Sequence, residues 1–190
     1  MPTLFNPFIK FSERQLTITG ILFLLIGSIL GYIFHARFDG VFDLHFVEKV
    51  ALTQPFIDNV VVIASLFLCL LAVGKYTNKK TRSIDIVAMS LISRIPTYLL
   101  VLFNANDFMY DISNTVLQQF QDGNLDISPA DLTIIVIFTL LSIAELVWMC
   151  TLLYNGFKVA TNAKKTLSVI LFIVALISAE ILSKLIFSIL

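Results

Sequence analysis

Residues 60–82 read VVVIASLFLCLLAVGKYTNKKTR: fifteen apolar or small residues, then Lys75, Lys79, Lys80 and Arg82. Whether this run crosses a membrane decides the fold. A helix needs about 20 residues to cross roughly 30 Å of hydrocarbon, so the run spans only if it reaches back to Ile57 and on to Tyr76. With residues 57–76 as a span, the four cations stand at its far end, opposite the connection that precedes it. Without it, the count of spans drops to four and the cations change sides.

Four other runs qualify outright, at 16–34, 84–103, 132–154 and 166–190. The composition agrees. The chain has 190 residues, 58% hydrophobic and 14% charged, with a mean hydropathy of +0.92. Soluble domains average about 45–50% apolar and about 25% charged, and a water-soluble domain of this length cannot bury so much apolar surface. The expected fold is a single all-α domain, a polytopic membrane bundle of five transmembrane helices. The run at 16–34 is too long for a cleaved signal, whose apolar core is about 7–15 residues. It ends Phe34-His35-Ala36-Arg37 with no small-residue cleavage site, so it is read as a retained anchor. Cys69 and Cys150 both fall in apolar runs and read as small buried hydrophobes, not a disulfide.

Charge is distributed by side. The segment before the first span, the second connection and the fourth connection hold nine basic residues: Lys10, Arg14, Lys75, Lys79, Lys80, Arg82, Lys158, Lys164 and Lys165. Only Glu13 and Asp85 oppose them. The third connection has no base and five acids: Asp107, Asp111, Asp122, Asp126 and Asp131. Positive loops stay in the cytoplasm. Five spans put every basic segment on one side, with the amino terminus inside and the carboxyl terminus outside. Net charge is zero, and there is no basic stripe of the kind nucleic acid needs.

The third connection is too long for a plain loop. Phe108, Met109, Ile112, Val116, Leu117 and Phe120 repeat at helical spacing, predicting an external amphipathic helix over 107–121 that lies along the interface. Gly123 should end it, with Ser128 as cap and Pro129 as first residue of the fourth span. Phe42, Phe46 and Val50 suggest a weaker helix in the first connection.

Four charges fall inside the apolar runs: Arg94, Glu145, Glu180 and Lys184. Each costs about 2.5–3.5 kcal/mol at a helix centre, so each should face the bundle or water and find a partner. At about 1.5 Å per residue, the run ends place Arg94 roughly 15 Å, Glu145 roughly 10–14 Å and Glu180 roughly 21 Å from the basic face. An arginine reaches either carboxylate over such offsets. Glu180 and Lys184 stand four apart in the favourable order, and Lys184 can also snorkel outward. The expectation is an ion-pair cluster that fixes the packing of the third, fourth and fifth helices. The alternative is a polar path for a proton, an ion or a small solute. Pro96 removes a backbone donor and frees the Ile92 carbonyl, predicting a kink whose freed group Arg94, Ser93 or water could bind. Gly27 and Gly31 form a GxxxG pair, and Ala175, Ala179 and Ser183 a small-residue stripe, both suited to close helix packing within the chain or to a homo-oligomer. His35, Asp39, Asp43 and His45 are metal-ligating in type, but Gly40 interrupts any helix that would align them, and no metal site is expected. No nucleophile motif, phosphate loop or dinucleotide fingerprint occurs, so neither an enzyme nor a cofactor is expected.

Several segments together resemble the Yip domain family of five-span membrane proteins, in its divergent bacterial form. They are Asn6-Pro7-Phe8 before the first span, Asp85 and Arg94-Ile95-Pro96 in the third, Trp148 and Leu153-Tyr154-Asn155-Gly156-Phe157-Lys158 at the end of the fourth, and Lys164-Lys165 before the fifth. The resemblance covers nearly the whole chain. It implies a five-span fold and a bacterial inner-membrane location. Eukaryotic members of that family are associated with Rab-type GTPases, vesicle traffic and membrane shaping. Only about 15 residues precede the first span, too few for a GTPase-binding tail, so Rab binding is not expected. The lipid bilayer, other membrane proteins or a second copy are the expected partners.

Overall fold

The computed structural model describes residues 3–123, 126–163 and 165–190; Lys164 of the basic fourth connection lies outside them. The chain is all-α apart from one pair of two-residue strands. Helix α1 (Glu13–Ile33) starts at a capping box, with the Gln15 amide donating to Ser12 Oγ and the Ser12 amide to Gln15 Oε1. Strands β1 (Ala36–Arg37) and β2 (His45–Phe46) pair antiparallel. Then follow α2 (Gln54–Thr77), α3 (Ser83–Ser93), α4 (Ile95–Leu100), a 3₁₀ segment (Val101–Asp107), α5 (Phe108–Gln121), α6 (Pro129–Thr161) and α7 (Thr166–Phe187). Among the described residues five helical stretches are long and apolar enough to cross a membrane; α3 and α4 carry the third, and the non-helical residues Asn104, Ala105 and Asn106 set α5 apart from it.

Helix α3–α4 is the most buried of the five, and α1, α2 and α6 all pack on it. Helix α7 lies outside, against α2. The main core joins Val62, Leu66 and Leu70 of α2 to Met89 of α3, Met149, Leu153 and Phe157 of α6, and Ala175 and Ala179 of α7. Lipid is as apolar as leucine, so helix association rests on close packing rather than on expulsion of water. The small residues sit at the contacts accordingly. Gly27 faces the Tyr98 ring, which a Cβ there would overlap, and Gly31 faces Phe38 and Pro55. Ala175, Ala179 and Ser183 are all buried. The GxxxG pair and the stripe therefore serve packing within the chain.

The helix ends alternate. Arg82 bridges Glu13 (2.9 Å) and Asp85 (2.7 Å), joining the starts of α1 and α3. Asn78 Nδ2 donates to the Thr161 carbonyl, bringing in the ends of α2 and α6. At the opposite end His35 meets Asp107, and Lys184 meets Asp43. The described basic segments thus gather at one end of the bundle and the acidic connections at the other.

The central helix breaks at Arg94, two residues before Pro96. Ser93 Oγ donates to the Ser90 carbonyl and the Arg94 guanidinium to Val41, so neither side chain takes the Ile92 carbonyl. Helix α5 follows the predicted range, buries Met109 and Ile112, and ends at Gly123, whose φ is +69°. Ser128 caps α6 through the Asp131 amide, with Pro129 first in the helix.

Two expectations are corrected. The first connection is not helical over 42–50; β1 and β2 pair there instead, because Gly40 and the reversal at His35 (φ +49°) fold the segment back on itself. The fourth helix runs seven residues past Tyr154, to Thr161. The residues before the first span pack on the bundle, which no sequence pattern indicated. Residues 3–11 form a hook with a 3₁₀ turn at Pro7–Ile9. Trp148 Nε1 donates to the Leu4 carbonyl (3.0 Å) and Asn155 Nδ2 to the Phe5 carbonyl (2.8 Å). Phe8 packs into the core beside Gly156, where a Cβ would come 2.6 Å from Met89 Cβ.

Candidate functional site

The intramembrane charges meet a strap, residues 36–46, that folds into the acidic end of the bundle. Ala36, Phe38 and Val41 of the strap are fully buried, and Val41 joins the main core. Entering the bundle this far takes strap backbone groups away from water, and charged side chains bond two of them, one buried and one at the surface. Arg94 Nη1 donates to the Val41 carbonyl at 2.6 Å, and Glu180 Oε2 accepts from the Phe42 amide at 3.1 Å. Lys184 pairs with Asp43 and lies 4.0 Å from Asp39.

Asp58 completes the clamp. It is fully buried in the second turn of α2. It accepts from Arg37 Nε (2.6 Å) and Nη2 (3.1 Å), from the Phe38 amide (3.2 Å) and from Gln54 Nε2 (3.2 Å). Its neighbour Asn59 donates to Ser28 Oγ and the Pro55 carbonyl and accepts from the Tyr98 hydroxyl. That network ties α1, α2 and α4 together under the strap.

The expected cluster of mutual ion pairs does not form. Arg94 is fully buried but pairs with neither Glu145 nor Glu180 among the described residues. Its Nε and Nη2 have no hydrogen-bond partner there, and the guanidinium lies 5.9 Å from the Phe38 ring centroid. Glu145 accepts from Thr97 Oγ1 at 2.6 Å instead. The extra two turns of α6 explain the miss: they lift Glu145 to the level of Thr97 and leave Met149, not a carboxylate, beside Arg94. Glu180 and Lys184 do not pair with each other either, since both reach to the strap.

A cavity of about 100 Å³, lined in part by Phe42, Asp43, Thr97, Ser142, Glu145 and Met149, opens beside this assembly. It has room for roughly three water molecules. Toward the basic end, Met89, Met149, Leu153 and Phe157 close the core.

At the strap's surface Asp39, Asp43 and His45 offer ligand atoms within 4.8 Å of one another. Lys184 already sets a cation on the two carboxylates, and His35, the fourth candidate, turns away to Asp107. The His45 imidazole, with Nδ1 3.1 Å from Asp39 Oδ1, holds the Asp39 carboxyl below its usual range, and the carboxylate in turn raises the His45 imidazole against the opposing effect of burial. No family model, curated protein or solved structure matches this chain.

Sequence reasoning missed Arg37, Asp58, Asn59 and the hook. One signal was present. Pro55 in Thr53-Gln54-Pro55 marks a helix start, which sets Asp58 and Asn59 one turn inside α2 rather than at the edge of the 57–76 run.

Proposed function

We propose that the chain is a non-enzymatic, multi-pass membrane protein that organises or scaffolds the membrane, with its basic end in the cytoplasm of a bacterial cell. The observation that carries this reading is the use of Arg94, Glu180 and Lys184. All three hold a strap across the acidic end of the bundle, and the apolar core closes beneath them. Charges engaged in this way make a rigid frame rather than a path. The Yip resemblance and the five apolar helices support the same reading. Its partners would be the bilayer, other membrane proteins or a second copy, not a Rab-type GTPase.

The second reading is a carrier or channel for a small solute or ion, working through Arg94, Glu145 and Glu180. The small cavity at Glu145 and the two unpartnered donors of Arg94 favour it. Proton flux into liposomes containing the purified protein separates the two. The scaffold reading expects no flux above protein-free vesicles. Flux that is lost in both Glu145→Gln and Arg94→Met, with helical content unchanged, would establish the carrier.

A further inference from the structure

Helices α1 and α6 both pack on the central helix, and a groove of about 580 Å³ lies between them. That is within the usual size of a small-molecule site, about 300–1,000 Å³. Its floor is Ile92 and Ile95, its walls are Leu16 with Thr19 and Trp148, and Phe11 of the hook is in its lining. The exposed faces of α1 beside it carry Ile18 and Leu22, so the groove belongs to the part of the molecule that lipid bathes.

One end of the groove is charged. The Lys10 ammonium lies 5.6 Å from the Phe11 ring centroid, and Arg14 is exposed beside Gln15, which also lines the groove. Nearby Arg82 is neutralised by Glu13 and Asp85. Lys10 and Arg14 have no acidic partner among the described residues. An apolar groove in the basic half of a spanning bundle, with two uncompensated cations at its end, matches one kind of molecule.

We propose that this groove holds an acyl chain of an anionic glycerophospholipid, with the headgroup phosphate at Lys10 and Arg14. The hook forms part of the site, because Leu4 and Phe11 supply lining that a free tail would not. The inference stands whether the protein is a scaffold or a carrier.

Trp148 is the single tryptophan of the chain and lines the groove, and bromine on an acyl chain quenches indole fluorescence on contact. The full chain is placed in phosphatidylcholine vesicles with a minor fraction of brominated phosphatidylglycerol, or with the same fraction of brominated phosphatidylcholine. The anionic lipid is expected to quench Trp148 several-fold more effectively, by roughly fivefold for each cation engaged. Lys10→Gln with Arg14→Gln should abolish that excess. Thr19→Phe, which fills the groove from an exposed position, should reduce quenching by the anionic lipid to the level of the neutral one. Equal quenching by the two lipids in the wild-type protein would mean ordinary boundary lipid and overturn the proposal. So would an excess that survives either set of substitutions.

Discussion

Asp58 accepts four hydrogen bonds from three residues, and only Arg37 among its partners is a charge. Removing the carboxylate leaves a guanidinium and a buried strap amide without an acceptor. Asp58→Ala should therefore destabilise the protein by about 3 kcal/mol, the low end for a broken buried pair because Arg37 keeps some contact with water. Denaturant unfolding in mixed micelles measures it, and a loss under about 1 kcal/mol would show that the strap does not depend on this clamp. The role of Asp58 was illegible in the sequence, since an aspartate at the edge of the 57–76 run does not reveal a partner 21 residues away. Arg94 was legible as a buried charge but not in its partner. Spacing along a helix fixes depth, whereas the partner depends on the length of α6 and on a backbone carbonyl, Val41, that no sequence pattern marks.

Between elements, contact distance decides what is tolerated. Gly27 brings α1 onto the ring of Tyr98, which is itself held by Asn59. Gly27→Ala should cost about 1–3 kcal/mol, because a buried aromatic in a hydrogen-bonded network cannot shift freely. Unfolding of the variant in the same micelles tests this, and a neutral result would mean that α1 can slide. The amphipathic α5, its glycine stop and the Pro96 break were readable because periodicity and backbone chemistry are local. The strap was not, because its only regular structure is two residues on each side. Its surface ion pairs do predict a pH dependence. His45 is raised above its ordinary 6.5, so its contribution to holding the strap is complete below pH 6.5 and disappears as pH rises through the raised value. Asp39 is lowered from 3.8, so its contribution is complete above pH 3.8 and disappears as pH falls through the lowered value. Lys184, Asp43 and Arg37 also face this pair. Hydrogen exchange at the strap, corrected for the intrinsic rate, should be slowest between those limits. His45→Gln should remove the alkaline rise, and an unchanged profile in that variant would exclude the pair as its origin.

For the molecule as a whole, contacts between helix ends fix which segments share a side. The bridge from Arg82 to Glu13 and the bond from Asn78 to Thr161 put the described basic segments at one end, while the pairs His35–Asp107 and Lys184–Asp43 put the acidic connections at the other. The five-run count was legible because hydrophobic length and loop charge are independent signals that agree. The hook was not, because Leu4, Phe5 and Phe8 are apolar without a period. In the proposed orientation, which rests on the positive-inside rule, the basic end faces the cytoplasm. An impermeant thiol reagent added to intact cells should miss a cysteine placed at Lys79 and label one placed at Asp122, on a background with Cys69 and Cys150 replaced by serine. Neutralising Lys75, Lys79 and Lys80 to glutamine removes part of the charge bias and should yield a mixed population in which some copies label at position 79. Labelling at Lys79 from outside in the unmodified charge background would reverse the orientation, and labelling at both positions would break the five-span order that the helix contacts describe.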